Sequence, residues 1–164
     1  TNGRGLWTAN LPNPAGKVSG SVTLGDWGAS RNGVQVTMEL TAPGNGTVLA
    51  SKIVTLNGSG AYAFDPDVPA GNYDLYLKAS HWLRNKVPVT LSSSSTTVNA
   101  TLPQNGDCDG DNSVTVFDYG QLSAAFDSTT GAANWDPNAD LDGDGSVTVF
   151  DYAILSRNFD QSGA

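Results

Sequence analysis

The 164-residue chain carries one cysteine, one histidine and a formal net charge of −8. A lone cysteine excludes a disulfide framework and a thiolate metal site, the absence of a basic stripe speaks against nucleic acid, and no apolar run reaches the ~18 residues of a membrane span. The length suits one or two small domains, and with no charged-then-apolar leader the chain reads as soluble, mature or excised.

The first hundred residues alternate in short runs. Segments 17–24, 34–40, 48–56, 61–64, 73–78, 87–91 and 97–102 are separated by Gly, Pro, Asn and Ser clusters, which predicts about seven strands in an all-β sandwich. Pro69, Ala70 and Gly71 make a tight turn, and Tyr62, Phe64, Tyr73, Leu75 and Leu77 alternate across the sheet and are mostly core. The order Gly60-Ala-Tyr-Ala-Phe64, Val68-Pro-Ala-Gly-Asn-Tyr-Asp-Leu-Tyr-Leu77, Val89-Thr-Leu91, Thr97-Val-Asn-Ala-Thr-Leu102 resembles the carboxypeptidase regulatory-like, transthyretin-related sandwich, also classed with carbohydrate-binding-like folds. The resemblance spans residues 16–102 and implies a Greek-key, prealbumin-like sandwich; it implies a fold more than a function.

Few residues in this half invite chemistry. A related adhesin repeat forms a Lys–Asn isopeptide crosslink beside a buried acid; Lys17, Asn99 and Glu39 supply the residue types, but Lys78 stands where that family places its acid, which argues against a crosslink. Trp7, Trp27, Trp82 and Trp135 raise a sugar-stacking reading, in which Trp82 is the packing aromatic and Trp27, in the Gly25-Asp-Trp-Gly28 turn, is the exposed candidate. His81, the only histidine, has no nucleophile motif around it and reads as a surface or packing residue, and Asp65 and Asp67 flank Pro66 as turn caps. The expectation is a non-enzymatic protein, with no catalytic residue to name.

The chain changes texture after residue 102. Asp107-Cys-Asp-Gly-Asp-Asn-Ser-Val-Thr-Val-Phe-Asp118 and Asp140-Leu-Asp-Gly-Asp-Gly-Ser-Val-Thr-Val-Phe-Asp151 each place aspartates at loop positions 1, 3, 5 and 12. That is the oxygen-ligand spacing of an EF-hand-type calcium loop. Asp107, Asp109, Asp111 and Asp118 would hold one Ca²⁺, with the Ser113 carbonyl at position 7 and Thr115 acting through water at position 9; Asp140, Asp142, Asp144, Asp151, Ser146 and Thr148 would hold a second. Position 6 is a sharp turn, Gly145 in one loop and Asn112 in the other, and asparagine tolerates positive φ. Eight of the sixteen acids are these loop aspartates, and the remaining eight balance the eight Lys and Arg, so two Ca²⁺ would bring the net charge to −4. Four carboxylates within about 5 Å make six repulsive pairs at roughly 1–3 kcal/mol each, which predicts a region disordered or molten without metal. Cys108, at position 2, points away from the ion, either as an incidental half-exposed residue or as a site of disulfide dimerisation.

Each loop leads into a short helix. Tyr119, Leu122 and Phe126 fall at i, i+3 and i+7, as do Tyr152, Leu155 and Phe159, and are expected to be core faces. Ser113 to Tyr119 and Ser146 to Tyr152 are identical, a tandem repeat with a period of 33 residues whose halves should pack about a pseudo-twofold axis, with Val114 and Val147 pairing between loops. No amphipathic helix precedes either loop, because residues 102–106 and 135–139 are rich in breakers.

A duplicated loop plus exit helix, with aspartate at position 12, resembles the dockerin module of cellulosome-type extracellular complexes. The resemblance covers residues 105–159 and implies calcium-dependent docking onto a cohesin domain of a scaffold or surface protein. It also implies a partner face at loop positions 10 and 11 and helix positions near 17 and 18: Val116, Phe117, Ser123 and Ala124 in one copy, Val149, Phe150, Ser156 and Arg157 in the other. Gly120 and Ala153, small and on the same side, permit close approach. Many dockerins place a hydroxyl pair at positions 10 and 11; Val-Phe here favours an aromatic-anchored contact, unless Phe117 and Phe150 pack inside.

The expected whole is a two-domain protein, an all-β sandwich over residues 1–102 and a small α-helical calcium-loop module over 103–164, in contact through the short segment 103–106. It belongs to a secreted or cell-surface bacterial assembly for polysaccharide breakdown or attachment. The alternative is an adhesive or carbohydrate-binding sandwich with a calcium-rigidified tail and a glycan partner.

Overall fold

The computed structural model describes residues 12–164. Trp7 and the other residues before 12 lie outside the described part.

Among the described residues, eight strands form two facing sheets. β1 (Val18–Leu24), β2 (Gln35–Thr41), β3 (Val48–Thr55), β4 (Ala61–Phe64), β5 (Gly71–Lys78), β6 (Asn85–Leu91), β7 (Thr96–Thr97) and β8 (Ala100–Leu102) follow in order. One sheet runs β3-β2-β5-β6, antiparallel throughout; in the other, β1 is central, antiparallel to β4 and parallel to β7 and β8. Period-two alternation decides which face is buried: Val18, Val22 and Leu24 of β1, Val36, Met38 and Leu40 of β2, and Tyr73, Leu75 and Leu77 of β5 meet between the sheets.

The run at 97–102 forms two strands where one was expected. Asn99 turns its side-chain oxygen to the Ser21 amide at 3.0 Å, taking the place of a ladder carbonyl. A Cβ on Gly20 would lie 1.8 Å from the Val98 oxygen, so the close approach of the chains at this break depends on the glycine. Asn99 is so engaged and Glu39 is paired to Arg84, two of the three residues that an isopeptide crosslink would use.

Two helices complete the described residues, α1 (Val116–Ala125) and α2 (Val149–Arg157). Each starts at a threonine N-cap, Thr115 or Thr148, whose hydroxyl accepts the amide of Phe117 or Phe150, while Asp118 or Asp151 bonds back to the cap amide in a capping box. Each is followed by an aspartate in left-handed conformation, Asp127 at φ 59° and Asp160 at φ 63°, a region this residue type tolerates. The turn aims the next residues at the other repeat: the Asp127 amide and Ser128 carbonyl clasp Val147, and the Asp160 amide and Gln161 carbonyl clasp Val114. Contrary to the expectation from sequence, Val114 and Val147 do not pair with each other; each is bridged by the segment leaving the opposite helix.

A second core gathers Leu122, Ala125, Leu141, Ile154, Leu155, both clasped valines and Cys108. Cys108 is buried, not half-exposed, and burial pushes its thiol pKa up, so disulfide dimerisation has no accessible sulfur. Tyr119, Phe126, Tyr152 and Phe159 are exposed, contrary to the expected Tyr–Leu–Phe core stripe. The buried stripe is instead Asp118, Leu122 and Ala125 in α1 and Asp151, Ile154 and Leu155 in α2. Because the carboxylate that caps the helix must also face its loop, each helix is rotated by roughly 80° from the orientation that apolar spacing alone suggests.

Candidate calcium loops and docking face

The first loop winds on its own carboxylates. Asp109 accepts the Asp111 amide at 3.1 Å, Asp111 accepts the Ser113 amide at 2.8 Å, and Asp107 Oδ2 accepts the Asn112 amide at 3.1 Å. Asp118 accepts the Asp109 amide on one oxygen at 3.1 Å and the Thr115 amide on the other at 2.7 Å. The second loop repeats the pattern, with Asp142 taking the Asp144 amide at 3.0 Å, Asp144 the Ser146 amide at 2.8 Å and Asp140 the Gly145 amide at 3.0 Å. Such side-chain-to-backbone turns need positive φ at positions 4 and 6, and Gly110, Asn112, Gly143 and Gly145 all have it.

These residues fit a hard cation. Carboxylate oxygens of Asp107, Asp109 and Asp118 approach within 4.8 Å of one another, and so do those of Asp140, Asp142 and Asp144. Asp107 Oδ1 is buried with no hydrogen-bond partner, a costly state for a carboxylate that a bound cation relieves. Burial also raises the pKa values of Asp107, Asp140 and Asp142 above the ordinary carboxylate value, the strain expected of clustered acids awaiting a counter-charge. The Thr115 and Thr148 hydroxyls are engaged as helix caps, at 3.2 Å from the Phe117 and Phe150 amides. The Ser113 hydroxyl lies 3.0 Å from that of Ser162.

The sandwich reaches into both loops. The segment after β5 carries Trp82, buried in the sandwich core, and then Leu83, buried in the helical core. The His81 carbonyl accepts the Gly106 and Asp107 amides, and its ring donates to Asn105 Oδ1 at 2.6 Å. Asn105 in turn donates to the Leu141 carbonyl of the second loop at 2.7 Å. His81 is thus a packed junction residue, its pKa lowered to about 4 by burial. Asn112 Oδ1 accepts the Arg84 amide at 2.7 Å, a contact no glycine at position 6 could make. Trp27 lies over Gly143, whose added Cβ would fall 2.8 Å from the ring, and meets Trp82 edge-on at 5.4 Å. It is half-buried, a wedge between sandwich and loop, where the turn suggested an exposed ring.

The helix surface is apolar and twofold. Val116, Phe117, Gly120, Ser123 and Ala124 of α1 and Val149, Phe150, Ala153, Ser156 and Arg157 of α2 are all exposed, Phe117 at 72% and Phe150 at 67%. The two phenylalanines do not pack inside. Arg157 leans toward the sandwich and pairs with Asp26 at 2.5 Å. Tyr119 and Tyr152 meet edge-to-face at 5.7 Å near the pseudo-axis. On either side lies a hollow, one of about 350 Å³ lined by Tyr119, Leu122, Ser123, Phe126, Val149 and Tyr152, the other of about 370 Å³ lined by their counterparts 33 residues away.

The fold and these loops define a β-sandwich followed by a two-helix module with paired acidic loops. Residues 105–160 match the family model of the dockerin type I domain, and this stretch is a dockerin domain. No curated protein matches the chain. Two solved structures from Acetivibrio cellulolyticus, mutants of a type II cohesin–X–dockerin complex, resemble the chain across both parts. One has TM-score 0.69 at 20% identity over 90% of this chain and 97% of that one; the other has 0.67 at 18% identity with the same coverage. At this identity the likeness is one of fold. Among the described residues no helix is long and apolar enough to cross a membrane.

Proposed function

We propose that the chain is a calcium-dependent docking unit, in which the dockerin domain holds two Ca²⁺ and presents its helix face to a cohesin domain of a scaffold or surface protein. The observation that carries this reading is the duplicated apolar face, with Val-Phe pairs at both helix starts and equivalent hollows flanking a tyrosine pair. Exposed aromatics of this density are costly on an unpartnered surface and typical of interface anchors. The ions act indirectly: neutralising the loop carboxylates holds Asp118 and Asp151 inward, and that orientation turns Phe117 and Phe150 out.

In this reading residues 1–102 form one domain and 103–164 the other, and the sandwich braces the docking module through the 79–84 segment. The unit is non-catalytic and works outside the cell, in a secreted or surface-attached bacterial assembly. The cohesin partner is suggested by the matched family and by the cohesin in the complexes of the two similar structures.

Capture on immobilised cohesins of several types, with and without chelator, tests the proposal. Binding should require calcium, and Phe117→Ala with Phe150→Ala should abolish it while calcium uptake persists. Capture that survives both chelation and the double substitution would refute it.

A further inference from the structure

The two loops share a sequence pattern but not an electrostatic setting. Lys78, at the end of β5, places its ammonium 2.9 Å from Asp107 Oδ2. The same nitrogen donates to the Ala79 and Ser80 carbonyls at 2.8 and 2.7 Å, so its position is fixed by the sandwich and does not depend on the loop. The equivalent aspartate of the second loop, Asp140, takes only backbone amides, from Gly143 at 2.9 Å and Gly145 at 3.0 Å. Among the described residues, the Lys78–Asp107 contact is the one ion pair that involves a loop aspartate.

We infer that Lys78 makes the calcium sites unequal, the first loop binding its ion more weakly than the second because the sandwich has already supplied it with a cation. Two effects act in the same direction. The ammonium repels an incoming divalent ion across a short, mostly buried gap where salt screens little. It also relieves carboxylate repulsion in the empty loop, and whatever favours the empty state weakens binding. Anchoring does not account for the difference, since each loop is tied twice toward the sandwich: the first by the Asp107 amide to the His81 carbonyl and by Asn112 to the Arg84 amide, the second by the Asp142 carbonyl to the Gly28 amide and by the Leu141 carbonyl to the Asn105 side chain. Asp107 Oδ1 stays free for the ion, so Lys78 lowers affinity without closing the site.

This inference rests on the two-calcium reading above, and calorimetric titration of the full chain with calcium separates the two. The wild-type protein should show two sites differing by on the order of tenfold. Lys78→Met should tighten the weaker one until the sites differ by no more than about threefold. Lys78→Gln, which keeps a donor for the Ala79 and Ser80 carbonyls, should do the same and serves if the methionine variant folds poorly. Amide resonances of Gly110 and Asn112, against those of Gly143 and Gly145, identify which loop has tightened. Equal sites in the wild type, or a weaker site that stays put or weakens further in the variants, overturns the inference. An absence of calcium uptake overturns the two-calcium reading and the inference with it.

Discussion

Among the described residues the sandwich core holds twenty buried hydrophobic side chains, whereas the core beneath the acidic loops has ten, one of which, Leu83, comes from the sandwich side. The first figure is enough for an independent fold. The second accompanies helices of ten and nine residues, too short to persist alone, and loops crowded with like charge. A small module of this kind depends on what is added to it: ions in the loops, and a neighbour that supplies both apolar packing and anchored backbone.

Removing the ions should divide the molecule most sharply. Chelation is expected to cost the C-terminal module more than about 5 kcal/mol, enough to exhaust the stability of a small domain, while strand signals of the sandwich persist. Heteronuclear NMR with and without chelator would show which resonances collapse, and intact dispersion for residues 107–160 would contradict the account.

Leu83→Ala should come next. Truncating a buried leucine costs about 2–5 kcal/mol, and here the loss should appear as a lower melting temperature of the calcium-loaded module, with little change in the sandwich. Equal destabilisation of both parts would mean that the two cores unfold as one unit.

Acid probes the junction. With its folded-state pKa lowered to about 4, His81 stays neutral in the native protein while the unfolded chain takes up a proton below about 6.5, so stability present above that value is lost as pH falls toward 4. Thermal melts of calcium-loaded protein should show a loss of about 2 kcal/mol between pH 7.5 and 5, absent in His81→Asn. The raised Asp107, Asp140 and Asp142 work with the opposite sign: they favour the ion-free fold as pH drops and make protons compete with calcium, so apparent calcium affinity should fall over the same range.

The smallest effect distinguishes the repeats least. Thr115→Ala and Thr148→Ala each remove one capping hydroxyl and should cost about 1 kcal/mol in chemical denaturation. A loss several times larger at either site would indicate that the hydroxyl also supports the ion through water.

Much of this design could be read along the chain. Alternation at Val18–Leu24, Gln35–Thr41 and Gly71–Lys78 specifies strands because side-chain direction in a strand is a local property. The D-x-D-x-D spacing specifies the loops for a similar reason, since each carboxylate bonds an amide at most five residues away. The repeat at a period of 33 residues also carried the symmetry of the helix face. Threonine three residues before Asp118 and Asp151 was a capping signal in plain view, and it would have corrected the rotation assigned to both helices.

What the linear order left open concerns groups far apart in sequence. That Val114 is clasped by Asp160 and Gln161 follows only from how the two helices cross. That Trp27 covers Gly143, that Leu83 belongs to the second core, and that Lys78 faces Asp107 follow only from how the sandwich seats on the loops. In the strands, patterning decides which face avoids water, because that choice needs no neighbour; in the helices the capping carboxylate overrides it. Which charge, ring or carbonyl meets that face is decided by long-range packing, and there the two equivalent loops of this chain become different.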